Sequence, residues 1–191
     1  MPIYRHLLSS LAIALLLSAP AFAQQMPGPH RAAGPERDLS KRDMEFVKNA
    51  AIGGKAEIEL GKLAQRNAQS PQVKEFGARM EKDHGTADAQ LTAIASGKGA
   101  QLPQQLDAEH MRIRDRLAQL HGDAFDRAYM KAMVEDHNKD LKVFRQEALN
   151  GHDPDIKRFA RDTLSVINKH DRIAQEIDHS LTAVGSSRPP H

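Results

Sequence analysis

Met80-Glu81-Lys82-Asp83-His84 has an echo further along the chain in Met133-Val134-Glu135-Asp136-His137. In both stretches the apolar residues around the histidine recur at the period of an α-helix, so each histidine falls on the apolar side of a long helix. Outward from His84 the stripe is Val73, Phe76, Met80, Ala87, Leu91 and Ile94. Around His137 it is Met130, Met133, Val134, Leu141, Phe144 and Ala148. A third histidine, His170, sits among Ile156, Phe159, Thr163, Ile167, Ile173, Ala174 and Ile177. Glu57 lies roughly 50° from the centre of a fourth stripe at 100° per residue. That stripe holds Phe46, Ala50, Gly53, Leu60 and Ala64.

Punctuation between the stripes sets the helix ends. Ser40, with Asp43 three residues on, opens the first helix, which runs to about Ala68. Ser70-Pro71 opens the second, and Gly97 stops it. A shorter amphipathic helix follows Pro103, from about Asp107 to His121, closed by Gly122. The next long helix takes Asp123 as its cap and ends at Asn150-Gly151, and Asp153-Pro154 starts a last one running to about Leu181. Gly53-Gly54 costs helix propensity of roughly 1 kcal/mol per glycine, which predicts a close approach or other packing reason there. Short first and last connections make two antiparallel hairpins. The long middle connection is sufficient to cross from end to end. The expected fold is all-α: a ferritin-like antiparallel four-helix bundle with an extra short helix in the crossover, over residues 40–182.

Outside that domain, Arg5 and His6 precede an apolar run from Leu7 to Leu17, then Ala21-Phe22-Ala23. This is the pattern of a secretory signal peptide spanning 1–23, cleaved after Ala23. Residues 24–39, rich in Pro, Gly and Ala, read as a flexible linker, and 183–191 as a disordered tail. No later segment has the roughly 18 apolar residues of a membrane span. The 191-residue chain contains no cysteine, hence no disulfide or thiolate site. Export to the periplasm or beyond fits both features. Lys and Arg number 27 against 25 Asp and Glu, interleaved along the chain, and there is no Trp. That balance gives no footprint for nucleic acid.

Counted from the two hairpin turns, Glu57, His84, His137 and His170 fall within about one helical turn of mid-height. Buried imidazoles and carboxylates without partners are costly, so four at one level must satisfy one another directly, through water or around an ion. Nitrogen with carboxylate oxygen is a ligand set for Fe, Zn, Mn or Cu. Di-iron bundles need a Glu-x-x-His on two helices. Glu81-x-x-His84 is the one such spacing here, with Glu81 far off the stripe, so a mononuclear site fits better than a ferroxidase-type pair. Met80 and Met133, one turn from their histidines, read as core, with a soft Cu(I) site as the alternative. Tyr129 reads as packing. His110, His121, His152, His179 and His191 fall on loops, polar faces or the tail. No nucleophile–base constellation, phosphate loop or zinc-protease motif is present.

Ala56-Glu57-Ile58-Glu59-Leu60-Gly61-Lys62-Leu63-Ala64, Met80-x-x-Asp83-His84, Phe125-Asp126-x-x-Tyr129, Asp136-His137 and His170 occur in that order. From Arg42 to Leu181 the chain resembles a secreted bacterial bundle family catalogued as a domain of unknown function and often labelled "predicted outer membrane protein". The resemblance implies a ferritin-like four-helix bundle and points to Glu57, His84, His137 and His170. It implies no activity, and the outer-membrane label does not fit a chain without alternating strands. The reading that follows is an exported, non-catalytic bundle holding a transition-metal ion or small ligand at mid-height, in the setting of envelope stress. The alternative is a structural or interaction module whose polar centre only fixes helix register.

Overall fold

A computed structural model describes residues 39–186, and the stretches expected from the sequence to be a signal peptide (1–23) and most of a linker (24–38), with residues 187–191, lie outside the described part. The described residues form five helices: α1 (Lys41–Asn67), α2 (Pro71–Gly97), α3 (Ala108–Ala118), α4 (Gly122–Asn150) and α5 (Pro154–Ser186). No strand occurs among them. The ends follow local chemistry. Ser40 Oγ accepts from the Asp43 amide at 3.1 Å and caps α1. Asp107 does the same for α3 through the His110 amide at 2.9 Å. Asp153 Oδ1 accepts from the amides of Asp155 and Ile156 at the start of α5.

Three ends differ from the sequence expectation. Helix α4 begins two residues early, with His121 and not Asp123 as its cap, because Gly122 adopts φ +59° and turns the chain sharply out of α3. Helix α3 stops at Ala118, before that turn. Helix α5 continues beyond Leu181 to Ser186.

Helices α1 with α2 and α4 with α5 make the two extensive helix–helix packings, and α1 also meets α4 while α2 meets α5. The four long helices therefore form a square. Its directions are fixed by contacts at the two ends. At one end Asp126, near the start of α4, accepts from the Gln69 and Ser70 amides in the α1–α2 turn at 3.1 and 2.8 Å. At the other, Asp43, near the start of α1, accepts from the His152 and Asp153 amides in the α4–α5 turn at 2.9 and 3.2 Å. Neighbours in the square run antiparallel, and α4 runs parallel to α2. The connection carrying α3 thus climbs the length of the molecule. On its way α3 buries Leu117 and bonds α1 through Arg114 to Glu59 at 3.2 Å.

The two clamps reveal an internal repeat. Adding 83 to a residue number in the first hairpin gives its counterpart in the second. Asp43 matches Asp126, Asn67 matches Asn150, Pro71 matches Pro154, Lys74 matches Lys157 and Phe76 matches Phe159. Contacts repeat with the residues: Phe46–Phe159, at 6.4 Å between ring centroids, is mirrored by Tyr129–Phe76 at 6.3 Å. The echo between the two Met-x-x-Asp-His stretches is a different spacing and joins positions that the repeat does not relate.

Two apolar clusters fill the interior. One gathers Leu60, Phe76, Met80, Phe125, Tyr129 and Met133 at the Asp126 end. The other gathers Phe46, Val47, Leu91, Phe144, Ile156 and Phe159 at the Asp43 end. Helices α1 and α2 touch most closely at Gly61 and Gly77. A Cβ on Gly61 would stand 2.5 Å from the Gly77 carbonyl oxygen, and one on Gly77 would stand 2.7 Å from Ala64 Cβ. Gly53 and Gly54, where close approach was expected, face open space instead, with nothing within 4 Å of an added Cβ.

Candidate metal centre

Between the two apolar clusters lies a buried polar layer. His84 comes from α2, His137 from α4 and His170 from α5, each placed there by the apolar stripe it interrupts. Burial is 7 % exposure or less for all three. Their ring centroids stand 5.6–6.1 Å apart. One ring nitrogen from each lies within 4.8 Å of the other two. Among the described residues this is the one group of three or more such side chains with ligand atoms so close.

Hydrogen bonds fix which nitrogen two of the rings leave free. His137 Nδ1 lies 2.9 Å from the Met133 carbonyl oxygen, which can only accept, so Nδ1 carries the proton. His170 Nε2 lies 2.9 Å from Asp83 Oδ2 and donates to it. That leaves His137 Nε2 and His170 Nδ1, together with His84 Nε2, buried and without a hydrogen-bond partner. Carbonyl–histidine and carboxylate–histidine pairs of this kind set the tautomer and basicity of metal ligands. Burial lowers the His84 pKa to about 3, with the neighbouring His137 and His170 adding to the effect. Burial likewise brings His170 down to about 4, against the pull of Asp83. His137 is lowered for the same first reason, loss of water, although Asp136 and Asp171 oppose it. All three rings are neutral near pH 7, the form in which imidazole binds a metal.

Glu57 is buried at the same level but does not join the triad. It is absent from the group of ligand atoms within 4.8 Å. Loss of water raises its pKa well above the ordinary value, and the neighbouring Asp136 and Asp140 raise it further. Asp140, matching Glu57 in the repeat, is itself pushed up to about 8, first by burial and then by Asp136. Tyr129, read from sequence as packing, does pack on Phe76 and Phe125. Its hydroxyl is also buried without a partner, and burial and the Glu57 charge raise its pKa. A second polar group of Glu57, Asp136, Asp140 and Tyr129 thus flanks the triad on the α1–α4 side. Sequence reading missed Asp140, and the repeat that pairs it with Glu57 is the signal that finds it.

Met80 and Met133 are fully buried in the apolar cluster at the Asp126 end. Phe76 stands edge-on to His170 at 6.4 Å and tilted against His137 at 6.3 Å, so it shields the triad from that side. A groove of about 390 Å3 between α2 and α5 reaches His84 and His170 from the surface, past Asp83, Gln90 and Lys169. Three neutral, inward-turned imidazoles with a route from solvent can take up a cation.

In solved structures, a DUF305 fragment from Deinococcus radiodurans is similar in fold, with a TM-score of 0.66 at 15% identity. The match covers 74% of this chain and 98% of that one. A DUF305 protein from Streptomyces coelicolor, described as a candidate secreted protein, has a TM-score of 0.64 at 11% identity. Coverage there is 78% and 97%. No curated protein matches the sequence. No helix among the described residues is long and apolar enough to cross a membrane. The family model described as "Domain of unknown function (DUF4142)" matches residues 28–177, and the chain belongs to that family.

Proposed function

We propose that this protein is an exported, ferritin-like four-helix bundle that holds one transition-metal ion through His84, His137 and His170. The observation that carries the reading is the set of three buried ring nitrogens left without partners and converging from three helices. A buried polar atom without a partner costs about 1–3 kcal/mol, and a single ion would satisfy all three. Zn–N bonds are about 2.0–2.1 Å, so the rings need only draw inward around the ion. Both Glu57 carboxylate oxygens are also buried without a hydrogen-bond partner, so Glu57 is the oxygen donor at hand for such an ion. The ligand set suits Zn, Fe, Mn or Cu. The end-to-end connection through α3 supports the ferritin-like description.

The test is metal content by mass spectrometry on protein purified without a His tag. Stoichiometric metal, lost in His84→Ala, supports the reading. Metal-free protein whose melting temperature ignores added Zn, Fe, Mn and Cu overturns it. A second reading, a purely architectural polar layer, is favoured by the bonds that His137 and His170 already make to Met133 and Asp83. It predicts a melting temperature unchanged by chelators.

A further inference from the structure

The repeat relates the triad to an opposite set of positions. His137 corresponds to Gly54, and His170 corresponds to Ala87. The second hairpin fills its positions with imidazoles, while the first leaves them almost bare. The consequence is a cavity lined by Gly53, Gly54, Ala87, Asp140, Thr163 and, at its boundary, His84. Its free core of about 20 Å3 exceeds the roughly 10–15 Å3 that a single water needs.

His84 belongs both to the triad and to this cavity. Counted from the hairpin turns at 1.5 Å per residue, Gly54 and Ala87 lie within about one helical turn of the histidines, on the side away from Phe76. Phe76 stands against His137 and His170 on one side, and the bare positions open beside His84 on the other. Asp140 and Thr163 add polar atoms to a wall that is otherwise small or apolar. The sequence gains nothing in packing from two adjacent glycines there, since an added Cβ would meet no atom within 4 Å. On the reading that the triad holds a metal, we infer that this cavity is the site of an exogenous ligand of two or three heavy atoms, bound on the metal's open side in place of water. Gly54 and Ala87 are the residues that make room for it.

The experiment loads the full protein with Co(II), whose visible spectrum reports its ligands, and titrates sodium azide as the probe. Wild type is expected to take up Co(II) and to show an azide-dependent change in the visible bands. Ala87→Leu is expected to keep Co(II) and bind azide at least tenfold more weakly. Gly54→Ala, which has space for its methyl, serves as the milder variant and is expected to weaken azide by a smaller factor with an unchanged fold by circular dichroism. Co(II) bound with no spectral response to azide, or with equal azide affinity in all three proteins, overturns the cavity site while leaving the metal centre standing. Failure of wild type to bind Co(II) overturns the metal centre and the cavity site with it.

Discussion

At the residue scale the interior titratable groups pull stability in opposite directions with pH. His84 and His170 have folded pKa values of about 3 and 4, below the roughly 6.5 of an unfolded histidine. Between those values the unfolded chain binds protons that the folded one refuses, so their contribution is whole above 6.5 and is lost as pH falls. For a histidine this dry, the loss at pH 5 is on the order of 2 kcal/mol. Urea unfolding of metal-free protein should show it between pH 7.5 and 5, and His84→Gln should flatten the acid slope. An unchanged slope would mean that water reaches the ring in the folded state. Glu147 runs the other way. Burial first, then a hydrogen bond with Asp43 and its charge, push the Glu147 pKa up to about 7. The folded protein keeps its proton where the unfolded chain has lost it, so the contribution is present below about 4.5 and disappears as pH rises through 7. Glu147→Gln should therefore be more stable than wild type at pH 8.5, by on the order of 1 kcal/mol, in the same urea assay.

At the element scale the same substitution should have opposite signs at two sites on α1. Gly61→Ala puts a methyl against the Gly77 carbonyl of α2. Because that neighbour is backbone, the helices must part, at about 1–3 kcal/mol. Gly54→Ala meets nothing within 4 Å and should gain up to about 1 kcal/mol of helix propensity. Thermal melts of the two variants would show whether α1 is held by that contact. The glycines also mark the limit of what sequence alone could say. Hydrophobic period and caps located all five helices, because Pro71, Pro154 and the apolar stripes act within a single helix. They could not tell which helical glycine faces a neighbour's backbone and which faces a cavity, since that depends on the axial register of two helices. The turn into α4 was misread for a related reason: Asp123 is a good cap by type, but positive φ at Gly122 had already started the helix.

At the scale of the whole molecule, convergence of the histidines was legible because a bundle fixes height by residue count from each turn. The partners of Glu57 were not, because they sit on the neighbouring helix α4, more than 70 residues further along the chain, and one of them, Asp140, is visible only through the repeat. That repeat was itself obscured. The two hairpins share their turn residues and a few ring positions, whereas the histidines, which draw the eye, are where the halves differ. The shared part has a mechanical role, since each hairpin's turn is held by a carboxylate from the other hairpin's leading helix. Asp126 satisfies two amides at one end and Asp43 satisfies two at the other. Hydrogen bonds to a charged acceptor contribute about 1.5–3 kcal/mol, so Asp126→Ala should cost roughly 2–4 kcal/mol. The loss should be local before it is global. Native-state hydrogen exchange in Asp126→Ala should speed the Gln69 and Ser70 amides and leave His152 and Asp153 protected, with the pattern reversed in Asp43→Ala. Equal acceleration at both ends in either variant would mean that the hairpins open as one unit and that the clamps do not act independently.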